Sequence, residues 1–333
     1  MLKHKVLSII GVVALIAVMS VLPFFAREYY VEILIIFLIN VILAASYRLI
    51  ATTGDWTLCH VILMGAGAYA SALMAKYFGW PFWMTAPLAG ATVGLVGLGI
   101  VYPMLRTVGF GFFITSLAVG EFIRLSWIKF HNPFGGPRGM INIPEVGIIG
   151  PIDFYEAIPY YFMTLAITLV CLLILYRIDR SRIGKAFKSI YEDSVLAESI
   201  GINVGRYRSF SFVIGSFFAG IAGALLAHRL GAIDPHIFGL DEMVYLLVWV
   251  IVGGSTTFAG PIIGVAVMTI LFEWTRPLME WRPLFFGVIL IGFLIFMPGG
   301  LESLVPKFTR LFGNRKASQE RAEEPAGVEK SVV

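Results

Sequence analysis

Charged residues are scarce in this 333-residue chain: Asp, Glu, Lys and Arg make up 14% of it, against about 25% in soluble globular proteins. Apolar residues reach 58%, above the roughly 45–50% of globular chains. A soluble protein of this composition would have too few charges to cover its surface. The mean hydropathy of +0.86 instead predicts a polytopic integral membrane protein. We expect an all-α helical bundle, because backbone groups in lipid must form hydrogen bonds within their own segment.

Cysteine and histidine are also rare. The two cysteines, Cys59 and Cys171, lie far apart in or beside apolar runs, and neither belongs to a CxxC pair. We therefore expect two buried free thiols and neither a disulfide framework nor a structural zinc site. The five histidines fall in separate loops or helix ends with no shared spacing. The sequence predicts no metal ligands and no cofactor.

The sequence motifs of several enzyme classes are missing. No G-x-x-x-x-G-K-[ST] phosphate-binding loop, H-E-x-x-H helix or G-x-S-x-G turn occurs anywhere in the chain, so ATP hydrolysis through a phosphate-binding loop is excluded. The Gly-rich stretch 253–257 lacks the lysine that such a loop needs. The net charge is only +4, which gives no support to nucleic-acid binding. We expect no catalytic residues in this chain.

Long apolar runs recur along the chain at the length of membrane spans. A hydrocarbon core of about 30 Å needs roughly 20 apolar residues per helix. We predict about ten transmembrane helices in the runs 6–25, 29–50, 57–78, 82–105, 109–128, 158–176, 210–229, 242–253, 258–275 and 283–298. The first run is predicted to be a helix and not a cleaved signal peptide, because its apolar stretch is too long and no A-x-A site follows. The short run 242–253 fits either a full span or a re-entrant segment.

The distribution of Lys and Arg predicts the orientation. Lys3 and Lys5 precede the first span and place the N-terminus in the cytoplasm, and ten crossings return the C-terminus there. This arrangement puts the basic loop 177–209 inside and the Gly- and Pro-rich loop 129–157 outside. We expect one transmembrane domain over 1–305, followed by a cytoplasmic and largely disordered tail over 306–333.

Polar groups within the apolar runs are candidates for a translocation path. Glu121 and Arg124 lie three residues apart on one helical face and can pair, and His60 begins the third run. Such groups usually face the interior of a bundle. A mutually neutralised pair that ties two helices together is the alternative for Glu121 and Arg124. Gly90 with Gly94, Gly260 with Gly264, and Ser216, Gly220 and Ala224 have the spacing of close helix packing within the bundle.

The segment 177–209 contains a short predicted helix. Asp193 or Ser194 can cap its start, and Gly201 can take the left-handed conformation that ends a helix. At 1.5 Å per residue this helix is about 10 Å long and would not be stable alone in water. Its apolar residues Val195, Leu196 and Ile200 need a surface, which either the other spans or a partner protein supplies.

The same segment resembles the cytoplasmic loop of the LivM-type subunit of branched-chain amino acid ABC transporter permeases. The likeness covers about 40–302 in order and spacing. Its blocks are Arg182-Ile183-Gly184-Lys185-Ala186-Phe187, Ala197-Glu198-Ser199-Ile200-Gly201-Ile202-Asn203, Leu58-Cys59-His60 with Gly65-Ala66-Gly67-Ala68-Tyr69, Leu117-Ala118-Val119-Gly120-Glu121, Gly135-Gly136 with Gly139, Gly253-Gly254 with Ala259-Gly260-Pro261, and Pro298-Gly299-Gly300-Leu301. The outer loop departs from the pattern at Phe134 and Pro137.

The resemblance implies a multi-pass permease subunit of an ABC importer in the cell (inner or plasma) membrane. Branched-chain or other hydrophobic amino acids would enter the cytoplasm with energy from separate ATPase subunits. A second homologous permease subunit would complete the path. Import of urea, short amides or small aromatic acids by the same fold is the alternative, and an ion-coupled secondary carrier is less favoured because ionisable groups at membrane depth are nearly absent.

The resemblance also implies which residues meet these partners. The ATPase-coupling interface would comprise Glu192, Asp193, Val195, Leu196, Ala197, Glu198, Ile200 and Gly201. A periplasmic or lipid-anchored substrate-binding protein would dock on Gly135, Gly136, Arg138 and Gly139 of the outer loop.

Overall fold

The computed structural model describes residues 14, 16–107, 109–276, 281–296 and 300–301. Residues 1–13 at the start of the first predicted run and the predicted tail 306–333 lie outside the described residues. The helices are α1 (Ile16–Phe25), α2 (Glu28–Ala51), α3 (His60–Phe78), α4 (Phe82–Met104), α5 (Phe110–Lys129), α6 (His131–Phe134), α7 (Ala157–Arg180), α8 (Arg182–Glu192), α9 (Ser194–Ser199), α10 (Val204–Leu230), α11 (Leu240–Gly253), α12 (Gly260–Trp274) and α13 (Arg282–Phe296).

Within the described ranges, six helices are long and apolar enough to cross a bilayer, namely α2, α3, α4, α5, α7 and α10. Helix α2 is the centre of the bundle. Its residues are buried nearly all round from Ile35 onward, and it packs against α7, α10 and α12. A helix that is apolar on every side is stable only when other helices surround it. The predicted all-α membrane bundle is confirmed.

Small residues let the helices of this bundle approach each other closely. A Cβ atom at Gly67 or at Gly90 would overlap the backbone of α10, at Gly220 and Phe217 respectively. A Cβ atom at Gly264 would overlap the carbonyl group of Trp249 on α11. The sequence prediction that Gly90, Gly220 and Gly264 serve helix packing within the chain is therefore confirmed.

The helix ends gather at two ends of the bundle. The basic end holds the α2–α3 connection 52–59, the segment 181–203 and the α11–α12 connection 254–259. The opposite end holds the α5–α7 connection 130–156 and the α10–α11 connection 231–239. Successive long helices therefore alternate between the two ends.

Four two-residue strands lie at the opposite end, where the sequence pattern indicated only a loop. β1 (Met140–Ile141) pairs antiparallel with β4 (Ala232–Ile233), and β2 (Ile148–Ile149) pairs with β3 (Ile152–Asp153). These strands lie outside the long apolar helices, where water is available to the backbone groups that strand pairing leaves free.

The last three helices are each shorter than a full span. Helix α11 has 14 residues, about 21 Å at 1.5 Å per residue. A 3-10 turn, Pro235–Phe238, precedes it, and its Phe238 ring lies next to Gly65 and Trp127 inside the bundle. The chain therefore already lies inside the bundle where α11 begins.

Helix α12 and the residues that flank it run alongside α2, with contacts near both ends of α2. The Tyr29 hydroxyl donates a hydrogen bond to Glu273 at 2.6 Å, and Arg48 contacts residues 255 and 256 at the basic end. Gly300 then lies against Gly254, so the chain that follows α12 returns to the basic end.

Candidate functional site

Helix α8 leads from the end of α7 to the predicted coupling helix. Ser181 caps it, because the Ser181 hydroxyl accepts hydrogen bonds from the backbone N–H groups of Ile183 and Gly184 at 3.2 and 3.4 Å. Its buried face carries Gly184 and Phe187. A Cβ atom at Gly184 would overlap the carbonyl oxygen of Asp179. The start of α8 is thus packed tightly against the end of α7.

Helix α9 has the predicted boundaries. The Asp193 carboxylate accepts hydrogen bonds from the N–H groups of Val195 and Leu196 at 2.9 and 3.0 Å. Gly201 has a φ of +86°, in the left-handed region that glycine adopts without strain. The N–H of Ile202 donates to the carbonyl of Ala197 at 3.1 Å. These bonds fix a six-residue helix that would not persist alone in water.

The two faces of α9 differ in exposure. Ala197 is only 2% exposed and packs with Ile190 and Val204. Val195, Leu196 and Ile200 are 76%, 63% and 70% exposed. The chain therefore covers the Ala197 side and leaves the three larger apolar residues uncovered. Within the described ranges, no helix of this chain covers these three side chains.

Four further members of the predicted coupling interface lie in or beside α9. Glu192, Asp193, Glu198 and Gly201 are all exposed. Ala197 differs from the other predicted members, because it contacts the chain's own small cluster and turns away from solvent. Its role in the segment is to hold α9 against α8 and α10.

A buried ion pair fixes the start of α10. Arg208 Nε lies 3.4 Å from Asp55 Oδ2, and the Thr53 hydroxyl donates to the same carboxylate at 3.2 Å. Burial is the main cause that raises the pKa of Asp55 to about 6, while Arg208 and the Thr53 hydrogen bond lower it in part. Asp55 and Arg208 join the α2–α3 connection to the helix that follows α9.

A second buried ionic cluster lies at the same end of the bundle. The Arg48 side chain is 1% exposed and donates from Nη1 to Asp179 Oδ1 at 3.2 Å. It also donates from Nε to the Ser255 carbonyl at 3.0 Å and from Nη2 to the Thr256 carbonyl at 3.1 Å. Lys188 Nζ of α8 lies 3.4 Å from the other oxygen of Asp179. We call these residues the Arg48 cluster.

The predicted path residue His60 lies inside the bundle, fully buried at the start of α3. Its Nε2 is 3.0 Å from the Ser46 hydroxyl, and its ring contacts the Tyr47 ring with centroids 5.4 Å apart. These contacts hold α3 against the central helix α2, and they leave the His60 side chain no exposed surface.

Glu121 and Arg124 form the predicted ion pair on α5. Arg124 Nη2 lies 2.8 Å from Glu121 Oε2, and Arg124 Nε donates to both carboxylate oxygens. Both side chains are partly exposed, and α5 is the least covered of the six long helices. Among the described residues, the contacts that the structure shows for this pair lie within α5.

The predicted docking loop is shaped by its glycines. Gly135, Gly136 and Gly139 all have positive φ, and a Cβ atom at Gly139 would overlap the carbonyl oxygen of Ile233 on β4. Glycine at these positions lets the loop close against β4. Arg138 is exposed at the tip of a 3-10 turn, Gly136–Arg138. The His228 ring links the same loop to the bundle through contacts with the Pro144 carbonyl and the Ser71 hydroxyl, at 2.6 and 2.9 Å.

Sequence reasoning missed the ion pairs that Asp55, Asp179 and Arg48 form. The available signal was that these charged residues directly border apolar runs, where an unpaired charge is costly. Their partners are far away in the chain: Asp179 is 131 residues from Arg48.

The two cysteines are free and buried, as predicted. Among the residues that the structure describes, no three His, Cys, Asp or Glu side chains cluster as metal ligands would.

Comparison with known proteins identifies the family. The family model of the permease component of branched-chain amino acid transport systems matches residues 29–298. The high-affinity branched-chain amino acid transport permease LivM of Salmonella typhimurium is 26% identical over 331 residues, which cover 92% of this chain and 78% of LivM. LivM of Escherichia coli is 27% identical over 314 residues, covering 87% and 73% of the two chains.

A relative with a different printed cargo also matches. The autoinducer 2 import permease LsrC of Klebsiella pneumoniae is 24% identical over 262 residues, covering 74% of this chain and 71% of LsrC. No solved structure matches the chain significantly. With its apolar helices and its match to the family model over most of its length, this chain is a multi-pass protein of the cell membrane and belongs to the family of branched-chain amino acid transport permeases.

Proposed function

We propose that this chain is the membrane subunit of an ABC importer and that it receives energy from separate ATPase subunits through α9. The observation that carries the proposal is the division of α9 into two faces. Ala197 anchors the helix to its own chain, while Val195, Leu196 and Ile200 are exposed to the surroundings of the basic end. An apolar surface of this kind, flanked by Glu192 and Glu198, is typical of a protein interaction site.

The contacts that hold α9 would allow it to transmit a force from an ATPase subunit to the bundle. Both of its neighbours are fixed to the bundle, α8 by Gly184 against the end of α7 and α10 by the pair of Arg208 and Asp55. A force applied to α9 would therefore reach the long helices through two buried connections. The sequence has no phosphate-binding loop, so the ATP must be hydrolysed by another polypeptide.

The proposed topology has ten crossings and both termini in the cytoplasm. It rests on the alternation of the helices between the two ends and on the concentration of Lys and Arg around 177–208. In this topology the basic end faces the cytoplasm, α11 is a crossing together with the turn before it, and 1–305 forms one domain.

A second homologous permease subunit is proposed to pack on α5. Large apolar side chains on this helix, including Phe110, Phe122 and Leu125, are exposed, and the pair of Glu121 and Arg124 lies among them. An ion pair at membrane depth is costly beside lipid tails but not beside protein or water. We therefore propose that the α5 surface borders the translocation path between two permease subunits, with Glu121 and Arg124 on that border. His60 is proposed to support this path from behind through the packing of α3.

The opposite end is proposed to receive a periplasmic or lipid-anchored binding protein. The turn around Gly136–Arg138 projects there, with Arg138 exposed, and a cationic tip can pair with acidic side chains of a partner.

Branched-chain amino acids are the proposed cargo, by likeness to the two LivM relatives. Uptake of labelled leucine, isoleucine and valine tests this part alone. Binding of none of the three by the cognate binding protein would remove the cargo assignment and leave the energy coupling untouched.

The experiment on the coupling surface replaces Leu196 with Asp. We expect the variant to lose co-purification with the ATPase subunits and to lose ATP-driven uptake at least tenfold, because a buried unpaired carboxylate is strongly unfavourable at an interface. Arg106→Gln is the matched control, since Arg106 is exposed at the α4–α5 connection of the same end. Normal assembly and uptake by Leu196→Asp would refute the proposal. Uptake by the chain without any ATPase, driven by an ion gradient, would establish a secondary carrier instead.

A further inference from the structure

We infer that Arg48 is a positioning residue that joins the segment formed by α8 and α9 to the α11–α12 connection. The inference rests on the proposed function, because a route for force matters only if α9 receives it. The geometry concerns four separate parts of the chain: α2, the end of α7, α8 and residues 255–256.

The Arg48 guanidinium binds two separate parts of the chain. On one side, Asp179 accepts from Arg48 at 3.2 Å and contacts Lys188 of α8 at 3.4 Å. On the other side, the carbonyls of Ser255 and Thr256 accept from Nε and Nη2 of the same guanidinium. The planar fork of arginine can serve the carboxylate and both carbonyls at once, whereas the ammonium group of lysine is a single point.

The link through Arg48 is important because a cavity lies beside the Arg48 cluster. A cavity of about 210 Å³ lies between α8 and the α11–α12 connection, and its walls include Lys188, Tyr191, Ser255 and Thr256. Direct packing is therefore incomplete on this side of α8. The ionic route through Asp179 and Arg48 joins Lys188 on one wall of the cavity to Ser255 and Thr256 on the other, and the Arg48 and Asp179 side chains are almost fully buried.

Movement of residues 255–256 would be passed on to the last three helices. The glycines on both sides of the connection bring α11 and α12 into backbone contact, since a Cβ atom at Gly253 would overlap the Gly260 carbonyl. Gly300 lies against Gly254 in turn. These contacts make the basic ends of α11 and α12 and Gly300 one packed unit, and Arg48 connects this unit to α7 and α8 through polar contacts.

The Arg48 cluster therefore provides one of two routes by which the response to ATP reaches the rest of the bundle. One route leads from α9 through α10 to the pair of Arg208 and Asp55, and the other leads through α8 and Arg48 to the packed unit. Loss of Arg48 should leave the ATPase contact intact, because α9 and its exposed residues are not part of the cluster. It should instead lower the amount of substrate that is imported per ATP hydrolysed.

The test uses the complete complex of this chain with its ATPase subunits, partner permease and binding protein in proteoliposomes. For Arg48→Lys we expect ATP hydrolysis within about twofold of the unaltered complex and at least a tenfold drop in substrate imported per ATP. The control is Arg180→Lys, an exposed arginine at the same end that lies over the Tyr176 ring, and its import per ATP should not change. An unchanged ratio in Arg48→Lys, or a parallel loss of assembly and of both activities, would overturn the inference.

A second measurement is independent of transport. Spin labels on cysteines introduced at Lys185 and Thr257, both exposed, report the distance between α8 and the α11–α12 connection in this chain in lipid nanodiscs. We expect one narrow distance distribution in the otherwise unaltered chain and a broadened one with Arg48→Lys. Equal distributions would refute the link even if the proposed transport function is correct. A broadened distribution would support the link even if the chain proved to need no ATPase.

Discussion

Single charged residues at the basic end are held in place by partners from distant parts of the chain. Asp55 pairs with Arg208 and Asp179 pairs with Arg48, and all four side chains lie at or near the ends of long apolar helices. Burying such a charge is unfavourable unless a partner and hydrogen bonds compensate. These pairs therefore specify how helix ends meet, and they contribute less to net stability than their number suggests.

The pair of Asp55 and Arg208 predicts a pH dependence of stability. The folded-state pKa of Asp55, about 6, is above the ordinary value of about 3.9, so the folded chain holds this proton more tightly than the unfolded chain. The stabilising contribution is fully present below the ordinary pKa and is lost as the pH rises through about 6, about 3 kcal/mol in total. Asp55→Asn removes this dependence.

The measurement is the apparent melting temperature of the purified chain in detergent at pH 5 and pH 7.5. We expect a larger fall over this interval in the unaltered chain than in Asp55→Asn. Glu145→Gln, an exposed loop substitution, should behave like the unaltered chain. Equal falls in the unaltered chain and in Asp55→Asn would contradict the burial of an ionisable Asp55.

Helix packing in this bundle depends on a few close backbone contacts. Between α3 and α10, a Cβ atom at Gly223 would overlap the Met64 carbonyl and lie 2.8 Å from the Ala68 nitrogen. Lipid tails are as apolar as the helix surfaces, so close van der Waals packing has to supply the attraction between these helices. The same logic applies where Gly264 meets Trp249. Long helices with bulky residues at these points could not form this arrangement.

Gly223→Ala should therefore weaken the contact between α3 and α10. We expect a loss of about 1–3 kcal/mol or more, because the added methyl group meets backbone that cannot shift cheaply. The matched control is Gly99→Ala in α4, where the added Cβ would meet open space and where alanine favours the helix. Apparent melting temperature and the yield of monodisperse protein measure both variants. A Gly223→Ala protein as stable as Gly99→Ala would show that the two helices are further apart than described.

At the scale of the whole molecule, the membrane bundle and the short helix after Asp193 could be predicted from the sequence. Long apolar runs and capping residues are local signals, so α2 to α5, α7 and α10 and the boundaries of α9 follow from them. The Arg48 cluster could not be predicted in the same way, because its partners are 131 to 208 residues away. The exposed face of α9 was equally undecided, since a sequence does not show which side of a short helix Ala197 occupies.

The measurement that tests the account most directly is the protection of α9 by the ATPase subunits. A cysteine at Leu196 is treated with a water-soluble thiol reagent, in the chain alone and in the assembled complex, with a cysteine at the exposed Arg106 as the control. We expect the cysteine at Leu196 to react readily in the chain alone and at least tenfold more slowly in the complex, while the cysteine at Arg106 reacts equally in both. Equal reactivity at Leu196 with and without the ATPase subunits would contradict the claim that α9 is their contact.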